Sequence, residues 1–378
     1  MFSLLYDEIL KTSDVIVVKV GTNVLSRADG LLNEPCIERL CGDLCHMMAQ
    51  KRRVVLVTSG AVGAGMGLLE LGERPTEISH LQAIAAIGQG KLIETYAQSL
   101  RQHGVKCAQI LLTAQDLSHR ESYLNIRNTL LTLLDWGVLP IINENDTVSV
   151  KGLHTTFGDN DRLASLVANL FDFPLLILLT DVDGLFDRDP ADPDATLIPV
   201  VDQWSPGLMQ MVAEKRSSRS KGGMESKLKA AKMITFSGGN VIIANGDREE
   251  TLRQIFTGQE AGTVFLTQHF LNARKRWLGF AVQTEGRLIL DDGAVSAVVN
   301  KGKSLLPVGV LDADGDFERG EIVSLVDSHN KEIGRGLTNY GLQDLLRICG
   351  KQTSALHEII GQNVYAEVVH RDNMQLAD

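Results

Sequence analysis

Six short clusters in this 378-residue sequence carry residue types suited to holding and moving an anionic group. The first is Lys19-Val20-Gly21-Thr22-Asn23, at the end of an apolar run. A lysine at the tip of a buried strand is costly unless its charge finds a partner, and a neighbouring glycine lets a ligand approach the backbone. Together they suit an anion held by one ammonium and several N–H groups. A strand-end lysine reaching out to solvent fits the same residues. The second cluster, Thr58-Ser59-Gly60-Ala61-Val62-Gly63-Ala64-Gly65, is a small-residue turn running into a helix. Free N–H groups and the positive helix end favour an anion there. The chain has no G-x-x-x-x-G-K-[ST] loop and no full G-x-G-x-x-G, and a plain strand-to-helix turn reads equally well.

Asn143-Glu144-Asn145-Asp146 sets four polar residues in a row after an apolar run, a cluster able to bind an amino group and hydroxyl-type donors. Gly158-Asp159-Asn160-Asp161 opens a helical pattern. One helix cap needs one such residue, and the excess points to binding or orienting. Thr180-Asp181-Val182-Asp183-Gly184 and Asp312-Ala313-Asp314-Gly315 both fail the order of a calcium loop, and the latter reads as a turn. Lys221-Gly222-Gly223-Met224-Glu225-Ser226-Lys227 has two glycines that permit a backbone folded over phosphates and a lysine to add a second cation. A flexible basic surface loop, with Arg216 and Arg219, is the alternative. The five cysteines form no C-x-x-C, and Cys41 and Cys45, with His46, read as helix-face packing rather than a metal site.

The elements that must position these clusters alternate. Strands are predicted over 15–20, 54–58, 107–112, 138–142, 175–179 and 241–244. Helical patterns cover 34–50, 80–103, 121–136, 161–170 and 227–236. Such alternation predicts crossover units around a mainly parallel sheet covered on both faces. Ligands in open sheets of this kind sit at the carboxyl ends of the strands, where the clusters fall. After about Gln268 the texture changes to glycine-punctuated strand pieces at 287–290, 322–326 and 364–369, preceded by the basic Arg274-Lys275-Arg276. That predicts a small, mostly β barrel or sandwich. The expected division is a first domain over 1–265, a linker over 266–277 and a second domain over 278–378.

Composition narrows the function. Apolar residues are 44% and charged residues 22% of the chain, which rules out full disorder. No apolar run approaches the ~18 residues of a membrane span, and the first residues lack the order of a signal peptide, so a cytoplasmic protein is expected. Asp plus Glu exceed Lys plus Arg by 47 to 37, a net charge of -10, which argues against a nucleic-acid sleeve.

Taken in order, the six clusters resemble the amino acid kinase family, most specifically through Val138-Leu139-Pro140-Ile141-Ile142-Asn143-Glu144-Asn145-Asp146 and Phe157-Gly158-Asp159-Asn160-Asp161. Within it, the chain is most similar to members that phosphorylate the side chain of L-glutamate. Lys303-Ser304-Leu305-Leu306-Pro307-Val308-Gly309 and Phe317-x-x-Gly320-Glu321 resemble a PUA domain. The resemblance runs from about Asp14 to about Arg371. The chain departs from the family pattern at Ser220-Lys221, usually Gly-Thr, and at Ser226, usually Thr.

The resemblance implies a three-layer α/β sandwich and transfer of the γ-phosphoryl group of ATP, with Mg²⁺, to L-glutamate as the first step of proline biosynthesis. It places Lys19 and Lys227 at the moving phosphoryl group and Asp161 in ion pairs with them. Ser59, Asp146 and Asn160 would hold glutamate, with Asp159 nearby. Lys19, Thr180, Asp181, Lys221, Gly222, Gly223, Met224, Glu225, Ser226 and Lys227 would hold the nucleotide, and no side chain is assigned to a metal. A homo-oligomer, dimer or tetramer, and feedback inhibition by proline are also implied. Rival readings are a kinase of the same fold acting on aspartate, N-acetylglutamate or carbamate, and an RNA-binding or RNA-modifying protein. Against RNA, Asp312, Asp314, Asp316, Glu318 and Glu321 make the second domain acidic, which weakens phosphate-dominated binding.

Overall fold

The run Val15–Val20 is β-branched at every position but Lys19, and it forms a strand, β1, buried along its whole length. It belongs to a computed structural model that describes residues 2–27, 29–148, 159–205, 208, 223–267, 284–361 and 365–377. The chain divides into two compact units, Met1–Leu271 and Asn272–Asp378.

In the first unit β1 is joined by β2 (Arg53–Val57), β3 (Cys107–Leu112), β4 (Leu139–Glu144), β5 (Leu175–Thr180), β6 (Val200–Val201), β7 (Asn240–Asn245) and β8 (Thr263–Phe265). They form one sheet in the order β3-β4-β2-β1-β5-β7-β8-β6. Every pairing is parallel except β7 with β8. Successive strand residues point to opposite faces. Ile16, Val18 and Val20 therefore share one face with Val54, Leu56, Leu175, Ile177 and Leu179, in a core to which α1 (Phe2–Thr12), α2 (Glu34–Ala49) and α4 (Ile78–Gln102) contribute most of the helical residues. Lys19 points the other way. From that side α5 (Arg120–Asp135) packs on β4, and α6 (Asp159–Ala168) and α7 (Gly223–Ser237) pack on β1, β5 and β7. Both faces are covered, so the architecture is the expected α/β/α sandwich. Cys36, Cys41 and Cys45 are on the buried face of α2 and pack within the core, and burial pushes the Cys41 thiol up to about 12.

The turn of the second cluster runs into a helix, as its residues suggest. Between α2 and α4 lies α3 (Ala61–Leu68), which packs backbone to backbone against α4. A Cβ on Gly88 would stand 1.8 Å from the Ala61 carbonyl oxygen and 2.5 Å from the Gly65 nitrogen; one on Gly65 would stand 2.0 Å from the Ile84 oxygen. The two glycines let the helices touch and so fix where α3 begins. The chain enters α3 through Gly60, whose φ of 98° is left-handed.

The second unit is built on β9 (Gly286–Leu290), β10 (Val310–Gly315), β11 (Ile322–Val326), β12 (Glu332–Leu337) and β13 (Met374–Leu376), in the order β10-β9-β11-β12-β13. Leu288, Leu290, Val323, Leu325, Val368 and Val369 lie in its core. Two expectations are corrected here. Asp312-Ala313-Asp314-Gly315 is no isolated turn; it runs antiparallel to β9 as the edge strand, where its aspartates face solvent and Ala313 turns inward. The strand expected over 364–369 does not form over its described residues. Val368 and Val369 are apolar because they are buried, and both their N–H groups go to the Leu305 carbonyl instead of a ladder. Val364, the cluster Arg274-Lys275-Arg276 and most of the expected linker lie outside the described residues.

Gly88→Ala is expected to lower the stability of the first unit by about 1–3 kcal/mol, the range for overpacking a close contact. Urea unfolding checks this, and an unchanged midpoint would contradict the close packing of α3 on α4.

Candidate active site

Lys19, one residue from the end of β1, meets Asp161 in the first turn of α6. Its Nζ lies 2.7 Å from Asp161 Oδ1, and the Nζ of Lys227, from the start of α7, lies 3.2 Å from Oδ2. All three side chains are buried, at 7%, 1% and 9% exposure for Lys19, Asp161 and Lys227. Lys227 also donates to the Gly223 carbonyl at 3.3 Å. One carboxylate thus bridges two buried ammoniums and can balance the charge of only one. Burial pulls the Lys19 ammonium below the usual lysine range; Asp161 opposes that, and the like charge of Lys227 adds to it. Burial pushes the Asp161 carboxyl upward, but the two lysines outweigh it and hold the group below the usual carboxylate range. The helix dipole at the start of α6 favours the same charge. Gly21 keeps the approach open: a Cβ there would sit 3.6 Å from Lys19 Nζ.

Beside this cluster, Asn160 ties three elements together. Its Nδ2 lies 2.8 Å from the Thr58 carbonyl, 2.8 Å from Ser59 Oγ and 3.2 Å from Asn143 Oδ1. The amide orientations are fixed by chemistry. The Thr58 carbonyl can only accept, so the nitrogen of Asn160 must face it. Asn143 Oδ1 also accepts from the Glu144 N–H at 2.9 Å. The Asn160 nitrogen is therefore consumed by the protein, and its Oδ1, without a partner among the described residues, is left as an acceptor. Asp146 lies just past β4, half-buried.

A third group follows β5. Asp181 accepts from Asn23 Nδ2 at 2.8 Å and from Thr180 Oγ1 at 3.0 Å. Burial raises its pKa, but these hydrogen bonds and the Lys227 charge prevail and hold it low. Gly223, Met224, Glu225 and Ser226 form the first turn of α7. Glu225 pairs with Lys229 at 2.7 Å on the surface. Lys221, Gly222 and Gly158 lie outside the described residues, as does the side chain of Asp159, which opens α6.

The structure thus brings together Lys19, Asp161 and Lys227, and separately Ser59 with Asn160. Sequence reasoning missed Asn23 as the partner of Asp181. It also missed Tyr96, a fully buried side chain of α4 whose hydroxyl lies 2.8 Å from Thr58 Oγ1. Neither had a signal of its own: Asn23 lies in a single helical turn after Gly21, in a cluster read for its lysine and glycine, and Tyr96 reads as an ordinary core aromatic. Among the described residues no group of three or more His, Cys, Asp or Glu side chains could hold a metal ion. No described helix is long and apolar enough to cross a membrane.

Two family models match the chain: the amino acid kinase family over residues 14–245 and the PUA domain over residues 286–360. Among curated proteins, a glutamate 5-kinase of Thermoanaerobacter sp. (strain X514) is 45% identical over 365 residues, 96% of this chain and 98% of that protein. One from Moorella thermoacetica is 46% identical over 361 residues, 95% of each chain. One from Deinococcus radiodurans is 44% identical over 363 residues, 96% of this chain and 99% of that protein.

Removing Asp161 leaves two buried ammoniums facing each other. Asp161→Ala is expected to cost about 3–5 kcal/mol, as for breaking a buried ion pair, read from denaturant unfolding at neutral pH. The carboxyl is held below its unfolded value of 3.8. Its stabilisation is therefore complete above that value and lost as pH falls through the depressed folded value. The difference between the two proteins should shrink correspondingly in acid, and a constant difference from pH 7 to pH 2 would contradict the ion pair.

Proposed function

The chain belongs to the amino acid kinase family, and from that premise we propose that it transfers the γ-phosphoryl group of ATP to the side-chain carboxylate of L-glutamate, giving L-glutamyl 5-phosphate and ADP. The observation that carries this reading is the pair of buried lysines bridged by Asp161 at the carboxyl end of β1, with an amide acceptor a short distance along the same strand ends. The relatives named as glutamate 5-kinases, matched over nearly their whole length, support the choice of acceptor.

The chemistry asks little of the protein beyond placement. A carboxylate is already a nucleophile, so no general base is needed. A glutamate carboxylate oxygen attacks the γ-phosphorus in line, the bond to the β–γ bridging oxygen breaks, and its electron pair leaves with ADP. Catalysis is then positioning plus neutralisation of charge on the moving group. Lys19 and Lys227 supply that neutralisation from opposite elements, and Asp161 fixes where both ammoniums stand. In a site largely closed to water these charges act more strongly than they would in solvent. The Oδ1 of Asn160 and the carboxylate of Asp146 accept from the substrate ammonium, and Ser59 and Asp159 are assigned to the same ligand. The nucleotide lies along Thr180, Asp181 and the segment Lys221, Gly222, Gly223, Met224, Glu225, Ser226 and Lys227.

The described side chains do not form a metal cage. Mg²⁺ would enter with the nucleotide, which suits its preference for phosphate oxygens and water, and would supply neutralisation of phosphate charge. We also read the enzyme as a homo-oligomer inhibited by proline, the product of the route it would open.

Acyl phosphate trapped as the hydroxamate tests the reaction. Glutamate, ATP and Mg²⁺ should give signal, and aspartate and N-acetylglutamate should not. Equal signal from all three would remove the glutamate assignment, and none from any would remove the kinase reading. Lys227→Ala is expected to lower kcat by about 10²–10³-fold, the worth of a transition-state charge contact, with little change in the KM for glutamate. Unchanged kcat with weakened binding would place Lys227 in ground-state binding only. Asp146→Ala is expected chiefly to raise the KM for glutamate, and a collapsed kcat at unchanged KM would contradict its contact with the ammonium.

A further inference from the structure

Behind the Thr58–Gly60 turn, on the face of the sheet away from the lysines, two buried hydroxyls act on one peptide group of the site. Strand alternation sends Thr58 toward α4 and Ser59 toward α6, where Ser59 Oγ meets Asn160 at 2.8 Å. On the α4 side, the fully buried Tyr96 hydroxyl lies 2.8 Å from Thr58 Oγ1, and Thr58 Oγ1 lies 3.2 Å from the Ser59 carbonyl oxygen. Burial raises the Tyr96 hydroxyl far above its ordinary range, so it stays protonated. Each hydroxyl has one hydrogen. The Ser59 carbonyl can only accept, so Thr58 donates to it and Tyr96 donates to Thr58.

That order fixes a direction. In a trans peptide the carbonyl and the following N–H point opposite ways. With the Ser59 carbonyl drawn to the buried hydroxyls, the Gly60 N–H points away from them. It has no hydrogen-bond partner among the described residues. Sterics do not enforce this arrangement. Gly60 sits at φ 98°, ψ 3°, and a glycine has no Cβ to oppose rotation of the Ser59–Gly60 peptide to the reverse orientation. The reverse orientation would turn a carbonyl oxygen, in place of an N–H, toward a bound anion.

We propose that Tyr96 and Thr58 are positioning residues, a hydroxyl relay that holds the Ser59–Gly60 peptide with its N–H presented to the phosphoryl group during transfer. The inference rests on the phosphoryl-transfer reading for its consequence in rate, but the peptide orientation stands by itself and is tested separately. Neither residue touches the reacting atoms. Tyr96 acts through Thr58, and Thr58 acts through the carbonyl of Ser59.

Tyr96→Phe and Thr58→Val each break the relay at a different hydroxyl while keeping its shape. Each is expected to lower kcat by about 10²-fold, the low end of what one such donor is worth, with the KM for ATP changed by no more than about twofold. Because both act on one peptide, the double variant should be no slower than the slower single one. Thr58→Ser, which keeps the hydroxyl, should recover most of what Thr58→Val loses. Crystal structures of the two single variants should show the Ser59 carbonyl turned away from position 96 in part or all of the molecules. Losses that multiply in the double variant, or an unchanged kcat in a folded Tyr96→Phe protein, would overturn the relay. So would an unaltered peptide in both crystal structures. If Tyr96→Phe does not fold, Thr58→Val carries the same comparison. A wild-type protein inactive on glutamate would sink the function proposed above, and the crystal structures would still decide the peptide.

Discussion

One carboxylate between two buried ammoniums is the interaction on which the site is built. Burying a lysine is costly, and burying two side by side adds their repulsion. Asp161 offsets both through its two oxygens, at 2.7 Å and 3.2 Å. To do so it needs three elements to converge: the end of β1, the first turn of α6 and the start of α7. The parallel sheet makes that convergence possible, because the crossovers that bury both faces also bring helix starts to the carboxyl ends of strands. The residual positive charge suits the site to an anion, and Gly21 adds no side chain beside the Lys19 ammonium.

The opposite face does different work. There α4 lies against the sheet, and the contact of Gly65 and Gly88 sets α3 close upon it. The start of α3, the turn at Gly60 and the end of β2 are held from behind by packing and by the hydroxyls of Tyr96 and Thr58. The turn is thus gripped from both sides: Asn160 takes the Thr58 carbonyl and Ser59 Oγ on the lysine face, and the Thr58 hydroxyl, backed by Tyr96, takes the Ser59 carbonyl on the other. A glycine-rich turn, free to rotate by itself, becomes a fixed part of the site.

Much of this was legible in the sequence, for identifiable reasons. Parallel strands are buried on both faces, so their unbroken apolar runs stood out, and Lys19 stood out as the one charge in β1. Three acidic or amide residues where one cap suffices marked Asp159, Asn160 and Asp161. What could not be read depends on contacts between distant positions. Gly88 looked like any helical glycine until its clearance from Ala61 was known, and Tyr96 like any core aromatic until its hydroxyl was placed. In the second unit, Val368 and Val369 resemble a strand because burial and strand pairing leave the same apolar signature. Asp312 to Gly315 resembles a turn because an edge strand can carry aspartates on its open side.

Asp161 upholds the charge of the Lys19 ammonium against its burial and the repulsion of Lys227, and a titration of Lys19 tests this most directly. Lysine labelled at Cε and followed by NMR, with Lys19→Arg for assignment, should show Lys19 losing its proton below the ordinary value of 10.5. In Asp161→Asn the same resonance should titrate lower still, since the remaining Lys227 repels it unopposed. A Lys19 that titrates at the same pH in both proteins would contradict the account.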